Sequence, residues 1–421
     1  MVDIAIIGGQ NGDEGKGKIV EYLINSAEKK FSNFLTKSVL NYRWQGGANA
    51  GHTVAVDGKI FKLHQIPSGI VRKNTYCLLG KGMFLNPRKL LNEIKELEEQ
   101  GIKVTPDKFG ISSKAHMTLD YHINDDQAYF NLEEHSSTGS GIKQTARDKA
   151  DRIGIRFIEF LDSDLMIKIL KERNFHNTEQ FVNSYQKERE ILDKFLVSED
   201  EIFANCGFDF VIAEGAQGIM LDLDDGQYPG ITSSNPGLPT HRPKKLLGVF
   251  KLYCSSVGIK DRPFVSEMDE LQNKLHVPWG EFGTTTKKPR HIGWFDVVAA
   301  KYSINVIQMD YIGGTCLDKL EYLHKIGEKL KICIAYEIGG QNYYKWDVSF
   351  DKRNVLWNAK PVFEEFETWD KTYVNGVLNP NAKKYIERLE ELLGKKFVLL
   401  GIGPKSEELI VDNKFVSELG L

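Results

Sequence analysis

From Ile4 to Lys18 the chain reads Ile-Ala-Ile-Ile-Gly-Gly-Gln-Asn-Gly-Asp-Glu-Gly-Lys-Gly-Lys, and the helix-forming residues Ile19, Val20, Glu21 and Leu23 follow. An apolar run, a glycine-rich turn and a helix start predict a strand, a phosphate-wrapping loop and a helix amino terminus. There, unpaired backbone N–H groups and the helix dipole favour an anion. The loop departs from a Walker A sequence: five residues separate Gly9 from Gly15, and Gly17 stands where Ser or Thr would hold magnesium. It also carries two carboxylates, Asp13 and Glu14. A carboxylate within a phosphate cradle is repelled unless it binds metal, takes a proton or points away, so Asp13 is the first candidate for chemistry. Taken alone, the segment reads equally as a glycine-rich turn whose acidic residues cap a helix.

The length, 421 residues, suffices for two or three domains' worth of core. With 41% hydrophobic and 27% charged residues, the composition is that of a globular protein. A formal charge of −3 gives no global basic field for nucleic acid. The five cysteines, Cys77, Cys206, Cys254, Cys316 and Cys333, are scattered and lack CxxC spacing, which points to reduced thiols in a cytoplasmic protein and away from structural zinc. No leader-like amino terminus and no run of 18 apolar residues is present, so no membrane partner is expected.

Further strand-like runs are Tyr76–Leu79 before Gly80, Phe210–Ala213 before Glu214-Gly215, Leu330–Tyr336, and Phe397–Leu400 before Gly401. Several end on a glycine or polar turn, where the carboxyl edge of a parallel sheet meets a ligand. Residues 89–100 place Leu90, Ile94 and Leu97 on one helical stripe before Gly101. The charged, periodic stretch 158–196 predicts solvated helices whose charges form a face rather than a binding patch. The expected fold is α/β: one continuous domain with a P-loop-like, mostly parallel central sheet, surrounding helices and a helical lobe inserted at roughly 120–205.

A second glycine cluster, Gln45-Gly46-Gly47-Ala48-Asn49-Ala50-Gly51-His52-Thr53, allows close backbone approach to a ligand. Together with the first loop it resembles the adenylosuccinate synthetase family, whose strings are QWGDEGKGK and GGxNAGHT. The resemblance continues in order along the chain. It takes in Leu63 to Gly69, Ser137 to Ile142 with Asp148, Lys149 and Arg152, and Glu214 to Gly218 with Leu221 and Asp222. Beyond these come Tyr228-Pro229, Thr232 to Asn235, Glu281 to Thr286, Gly293 to Asp296, Lys319 to Glu321, and Gly401 to Pro404.

The resemblance implies a ligase that joins L-aspartate to C6 of IMP with GTP and Mg²⁺, through a 6-phosphoryl intermediate. It implies catalytic roles for Asp13, Lys16, His52 and Gln217, with Asp13 taking the N1 proton and also touching magnesium beside the Gly51 carbonyl. Triphosphate contacts fall on Gly12, Gly15 to Lys18 (Gly15, Lys16, Gly17, Lys18), Gly51, His52, Thr53, Lys319, Glu321, Gly401 and Gly403. IMP contacts fall on Asp13, Asn49, Thr138, Arg152, Gln217, Leu221, Thr232, Val257 and Lys288. For aspartate they are Thr284, Thr285, Thr286, Lys288 and Arg290, a guanidinium being suited to clamp a carboxylate. In the family an arginine corresponding to Arg152 enters the partner subunit's IMP site, which implies a homodimer. On residues alone, Arg152 reads equally as a surface arginine of the charged run from Arg147 to Arg156.

Five positions depart from the family pattern: Asn11 for tryptophan, Ser140 and Lys288 for arginines, Glu321 for the guanine-reading aspartate, and Gly401 for a common serine. They bear on ligand choice, so dGMP in place of IMP and ATP in place of GTP stay open. A phage branch, the 2-aminoadenylosuccinate synthetases, makes that exchange and is expected to lose the loop aspartate. Asp13 is kept here, which favours IMP. A non-catalytic nucleotide-binding paralogue is the competing class; retention of Asp13, Lys16, His52 and Gln217 argues against it. A plain P-loop switch is excluded by Gly17.

Overall fold

Strand β1 (Val2–Gly8) and helix α1 (Lys16–Lys30) flank the glycine-rich loop, as the hydrophobic pattern requires. In β1, Ile4 and Ile6 face α1 and pack with Ile19, Val20, Leu23, Ile24 and Ala27. The alternate residues Ala5 and Ile7 face the opposite layer, which contains Phe250, Ile219 and Trp294. This two-residue alternation against a helical stripe buries both faces of the strand. Each large aliphatic side chain so buried contributes about 2 kcal/mol. The computed structural model describes residues 1–31, 38–56, 58–130, 138–205, 207–257, 263–283 and 287–421.

β1 lies near the middle of an eleven-stranded sheet among the described residues. On one side its neighbours are, in turn, Pro243–Lys251, Tyr311–Thr315, Phe397–Gly401 and the antiparallel edge strand Leu409–Val411. On the other they are Phe210–Glu214, Val39–Gly47, Thr75–Leu85, Phe109–Ser112 and Leu196–Val197, all parallel; His116–Met117 also pairs with Thr75–Leu85. The mostly parallel α/β sheet expected from the sequence is thus observed.

Two strand expectations need refinement. Thr75–Leu85 runs on through Gly80 instead of ending there, because the glycine admits the Tyr42 ring: a Cβ at Gly80 would lie 2.4 Å from Tyr42 Cε2. Leu330–Ile338 is a strand, but it belongs to a separate small sheet with Phe295–Asp296, Gln341–Tyr343 and Lys360–Phe366. Between residues 120 and 205 the chain forms helices Asp120–Phe130, Ile142–Ala150, Phe157–Leu161, Ser163–Glu172, Thr178–Asn183, Gln186–Leu192 and Glu199–Ala204. Phe157, Phe160, Met166 and Leu170 from these helices, with Tyr185 from the turn before Gln186–Leu192, join Cys77, Leu79, Phe109 and Ile111 of the sheet in one buried cluster.

Candidate active site

The carboxyl ends of the central parallel strands, Gly8, Gly47, Glu214, Lys251 and Thr315, point to one side of the sheet, where open α/β sheets bind ligands. A cleft of about 650 Å³ opens there. It is lined by the loop from Asn11 to Asp13, by Gly15 to Lys18, by Asn49 to Thr53, and by Thr138, Gln217, Leu221, Thr232, Val257, Arg290, Lys319 and Gly403. Most of the residues singled out from sequence, scattered over nearly 400 positions, therefore face one space. Glu321, Gly401, Arg152 and Lys288 are not among its lining residues. Glu321 opens the helix Glu321–Lys325 and accepts from Thr372 N, and Gly401 ends its strand. Arg152 is exposed, at φ +63°, just past the helix Ile142–Ala150. Thr284, Thr285 and Thr286 lie outside the described residues.

The amino terminus of α1 is open. Gly15, at φ +81°, precedes it with no side chain to cap the first N–H groups. A bare first turn facing a cleft is an anion cradle. Glu14 does not contest that cradle: its buried carboxylate accepts from Gln10 N (3.1 Å) and Gly12 N (2.8 Å) and from Lys16 Nζ (2.6 Å). Lys16 Nζ also donates to Gln217 O at 2.6 Å, which ties the loop to the 214–218 turn. Glu14 is thus the acidic residue that points away, and Asp13 the one that faces the cleft.

Asp13 sits at φ +60°, and its carboxylate meets Arg290 Nη2 at 2.8 Å. The other Nη of Arg290 donates to buried Glu281 at 2.8 Å. Glu281 also accepts from Lys251 Nζ (2.8 Å) and Tyr253 OH (2.5 Å), and Lys319 Nζ lies 3.5 Å away. Burial works against ionisation of Glu281, but Lys251, Lys319 and Arg290 outweigh it and hold its carboxyl well below the usual range. Burial likewise disfavours the charge on Arg290, yet Asp13 and Glu281 raise its pKa further.

His52 heads the hairpin of Lys59–Leu63 with His52–Val56, and its Nδ1 bonds Glu214. Glu214 also accepts from Ser68 N (2.8 Å) and Ser68 Oγ (2.7 Å). Although burial opposes it, His52, Arg43 and Ser68 hold the Glu214 carboxyl down at about 2. Burial, and then the charge of Arg43, push the His52 imidazole below its ordinary value. A carboxylate behind Nδ1 fixes the tautomer and leaves Nε2 as the working nitrogen. Two amide oxygens, Asn49 Oδ1 and Gln217 Oε1, are buried without a hydrogen-bond partner among the described residues, as befits groups that meet a donor on a ligand.

No group of three or more His, Cys, Asp or Glu side chains among the described residues forms a metal cage. One carboxylate (Asp13) and one backbone carbonyl (Gly51) at a phosphate cradle nevertheless suit Mg²⁺, a hard cation that keeps waters and relies on substrate phosphates.

Glu214, Glu281 and Ser68 stand within the strings that carry the resemblance, but sequence reasoning gave them no individual role, and it missed Arg43 altogether.

Comparison with known proteins identifies the family. The adenylosuccinate synthetase family model matches residues 5–410. The adenylosuccinate synthetase of Lactiplantibacillus plantarum is 36% identical, covering 97% of this chain and 98% of its own length. That of Caldanaerobacter subterraneus subsp. tengcongensis is 35% identical, with 97% and 99% covered. The fully ligated adenylosuccinate synthetase from Plasmodium falciparum superimposes with a TM-score of 0.84 at 29% identity, covering 98% of this chain and 100% of that one. The cyanophage S-2L succinoaminodeoxyadenylate synthetase PurZ, bound to dGMP and dATP, gives a TM-score of 0.61 at 17% identity over 100% of this chain and 99% of that one, a likeness of fold alone. With the family model spanning nearly the whole chain and relatives above one-third identity, this chain belongs to the adenylosuccinate synthetase family.

Proposed function

We propose that the cleft joins L-aspartate to C6 of IMP at the expense of GTP, with Asp13 as base. One observation carries this assignment: the cleft-facing carboxylate of Asp13, the uncapped amino terminus of α1 and the His52–Glu214 pair share a single cavity. Asp13 takes the N1 proton of IMP, and the electron pair moves onto the 6-oxo group. That oxygen attacks the γ-phosphorus of GTP, and the bond to the β-phosphate oxygen breaks to release GDP. The aspartate amine then adds at C6 and loses a proton, and phosphate leaves as the C6–O bond breaks; N1 ends as the unprotonated ring nitrogen of a 6-aminopurine, and the proton taken by Asp13 passes to solvent. Phosphoryl transfer of this kind depends on positioning and charge compensation.

The α1 N–H groups and Lys16 hold the phosphates. His52, supported by Glu214, donates from Nε2 to the transferring phosphoryl oxygens once phosphate charge stands beside the ring. Asp13 and the Gly51 carbonyl would hold Mg²⁺, which neutralises phosphate charge when bound. The orphan oxygens of Asn49 and Gln217, with Thr138, Leu221, Thr232 and Val257, fit the IMP side. Arg290, with Lys288 and Thr284 to Thr286, takes the aspartate carboxylates. Lys319 and Gly403, which line the cleft, are assigned to the base end of the triphosphate site, with Glu321 and Gly401 outside the lining.

We also assign a homodimer, in which Arg152 reaches the partner's IMP phosphate. Its exposure beside Ile153 (38% exposed) and Ile158 (49%) supports a covered face there. A cytoplasmic setting suits the free thiols of Cys77, Cys254, Cys316 and Cys333.

The test is a substrate matrix of IMP or dGMP against GTP or ATP, with L-aspartate and Mg²⁺. Product absorbing to the red of IMP is expected with IMP and GTP. Product confined to dGMP and ATP, or none in any combination, would overturn the assignment.

A further inference from the structure

We infer that the side chain of Lys18 is a positioning residue that ties the base-end loop to the phosphate cradle, and that it is not itself a phosphate ligand. Lys18 is the third residue of α1, and its backbone N–H donates to Gly15 O (3.2 Å) beside the cradle. Its ammonium turns away to the far end of the sheet, where Nζ donates to Gly403 O at 2.5 Å and Glu408 O at 2.8 Å. These carbonyls stand on opposite arms of the loop that joins Phe397–Gly401 to Leu409–Val411.

The loop is also closed from within. Ile402 N donates to Glu408 O (3.0 Å), Glu408 N to Lys405 O (3.1 Å), and Lys405 N to the Glu408 carboxylate (2.7 Å). Gly403 and Pro404 of this loop line the cleft. A Cβ at Gly401 would lie 3.5 Å from Lys18 Nζ, so the ammonium fills the space directly beneath the loop. Two charge-assisted bonds to backbone carbonyls are stronger than neutral ones and fix both arms at once. Burial pushes the Lys18 ammonium pKa down, and Asp318, with Cys316, Glu408 and Glu407, works in the opposite direction.

One side chain thus sets the distance between the place where phosphates bind and the place where a purine rests. A cradle without the strut still holds phosphate, but the base loop is free to move. This inference rests on the assignment of a purine nucleoside triphosphate to this end of the cleft.

Full-length wild-type, Lys18→Met, Lys18→Arg and Glu408→Ala proteins are titrated, in Mg²⁺, with inorganic tripolyphosphate and with GDP or ADP, whichever wild type binds more tightly. Glu408→Ala loosens the loop from its own side and leaves α1 untouched, so it serves if Lys18→Met folds poorly. The inference predicts that Lys18→Met and Glu408→Ala weaken the nucleotide about tenfold or more, leave tripolyphosphate within about twofold, and that Lys18→Arg recovers most of the loss. Equal weakening of both probes makes Lys18 a phosphate ligand and overturns it, as does unchanged nucleotide affinity. Wild-type protein that takes tripolyphosphate but neither nucleotide overturns the triphosphate assignment and the inference together.

Discussion

Replacing Glu214 with Gln keeps the shape of the side chain and removes the charge behind His52. The wild-type carboxylate takes three hydrogen bonds, from Ser68 N, Ser68 Oγ and His52 Nδ1. In Gln the amide oxygen must face the Ser68 backbone N–H, which only donates. The NH₂ group then faces Ser68 Oγ, which can accept, and His52 Nδ1, which must now accept as well. The ring proton moves to Nε2, and a charged partner for the imidazolium is lost. The structural cost is the difference between hydrogen bonds to a charged and to a neutral group, about 1 kcal/mol. The catalytic cost is that of a neutral imidazole standing where a charged donor should face the transferring phosphoryl group, about 100-fold to 10,000-fold in kcat, or about 3–5 kcal/mol. Steady-state kinetics with saturating IMP, L-aspartate and GTP measure it, with Ser68→Ala as the control. Ser68→Ala leaves the backbone N–H bond and is expected to cost about tenfold at most. Less than a tenfold loss in Glu214→Gln, with KM values unchanged, would refute the role given to the His52–Glu214 pair.

Asp13→Ala should abolish turnover with little change in melting temperature; a loss of only about tenfold, some 1.4 kcal/mol, would remove Asp13 from acid–base work. Arg290→Lys keeps charge but not the fork that reaches Asp13 and Glu281 together, so KM for L-aspartate should rise about tenfold or more, and an unchanged KM speaks against the clamp. Asp296 is buried, and burial raises its carboxyl to about 6 from an ordinary 3.8, so the folded chain holds this proton more tightly than the unfolded one. Its contribution to stability therefore declines as pH rises from about 4 to about 6 and is flat above, by about 3 kcal/mol in all. Denaturant titrations of wild type and Asp296→Asn across that range should show the decline in wild type alone. Mixing Arg152→Ala with Asp13→Ala protein should restore turnover if each subunit completes the other's site, and mixtures as inactive as their components would argue against the shared interface.

Much of this molecule was legible in its sequence, because glycines and two-residue alternation act locally. The run from Ile4 to Lys18 dictated strand, loop and helix, and the strand Phe210–Glu214 and the helix Pro87–Glu99 emerged close to their expected bounds. The sheet to which Leu330–Ile338 belongs was not legible, since a run of apolar residues reports burial and not the identity of its neighbours. Buried charges were the other blind spot. Arg43 sits fully buried in a strand, donating to His64 O (2.7 Å) and Gln65 O (3.1 Å), although nothing around it in the sequence marks it as unusual. His52 and Glu214 are 162 positions apart, and Lys18 and Gly403 are 385 apart. Such pairs exist only once the sheet has brought its carboxyl edges together, so no local pattern can announce them.

The fate of one oxygen atom is the most direct probe of the chemistry. IMP carrying ¹⁸O at C6 is turned over with L-aspartate, GTP and Mg²⁺, and the released phosphate is weighed by mass spectrometry. Phosphorylation of the 6-oxo group activated by Asp13 requires the label to leave in phosphate, one atom for each molecule of product. Unlabelled phosphate alongside normal product would mean that the 6-oxygen never bonds to phosphorus, and the roles assigned to Asp13 and His52 would fall with it.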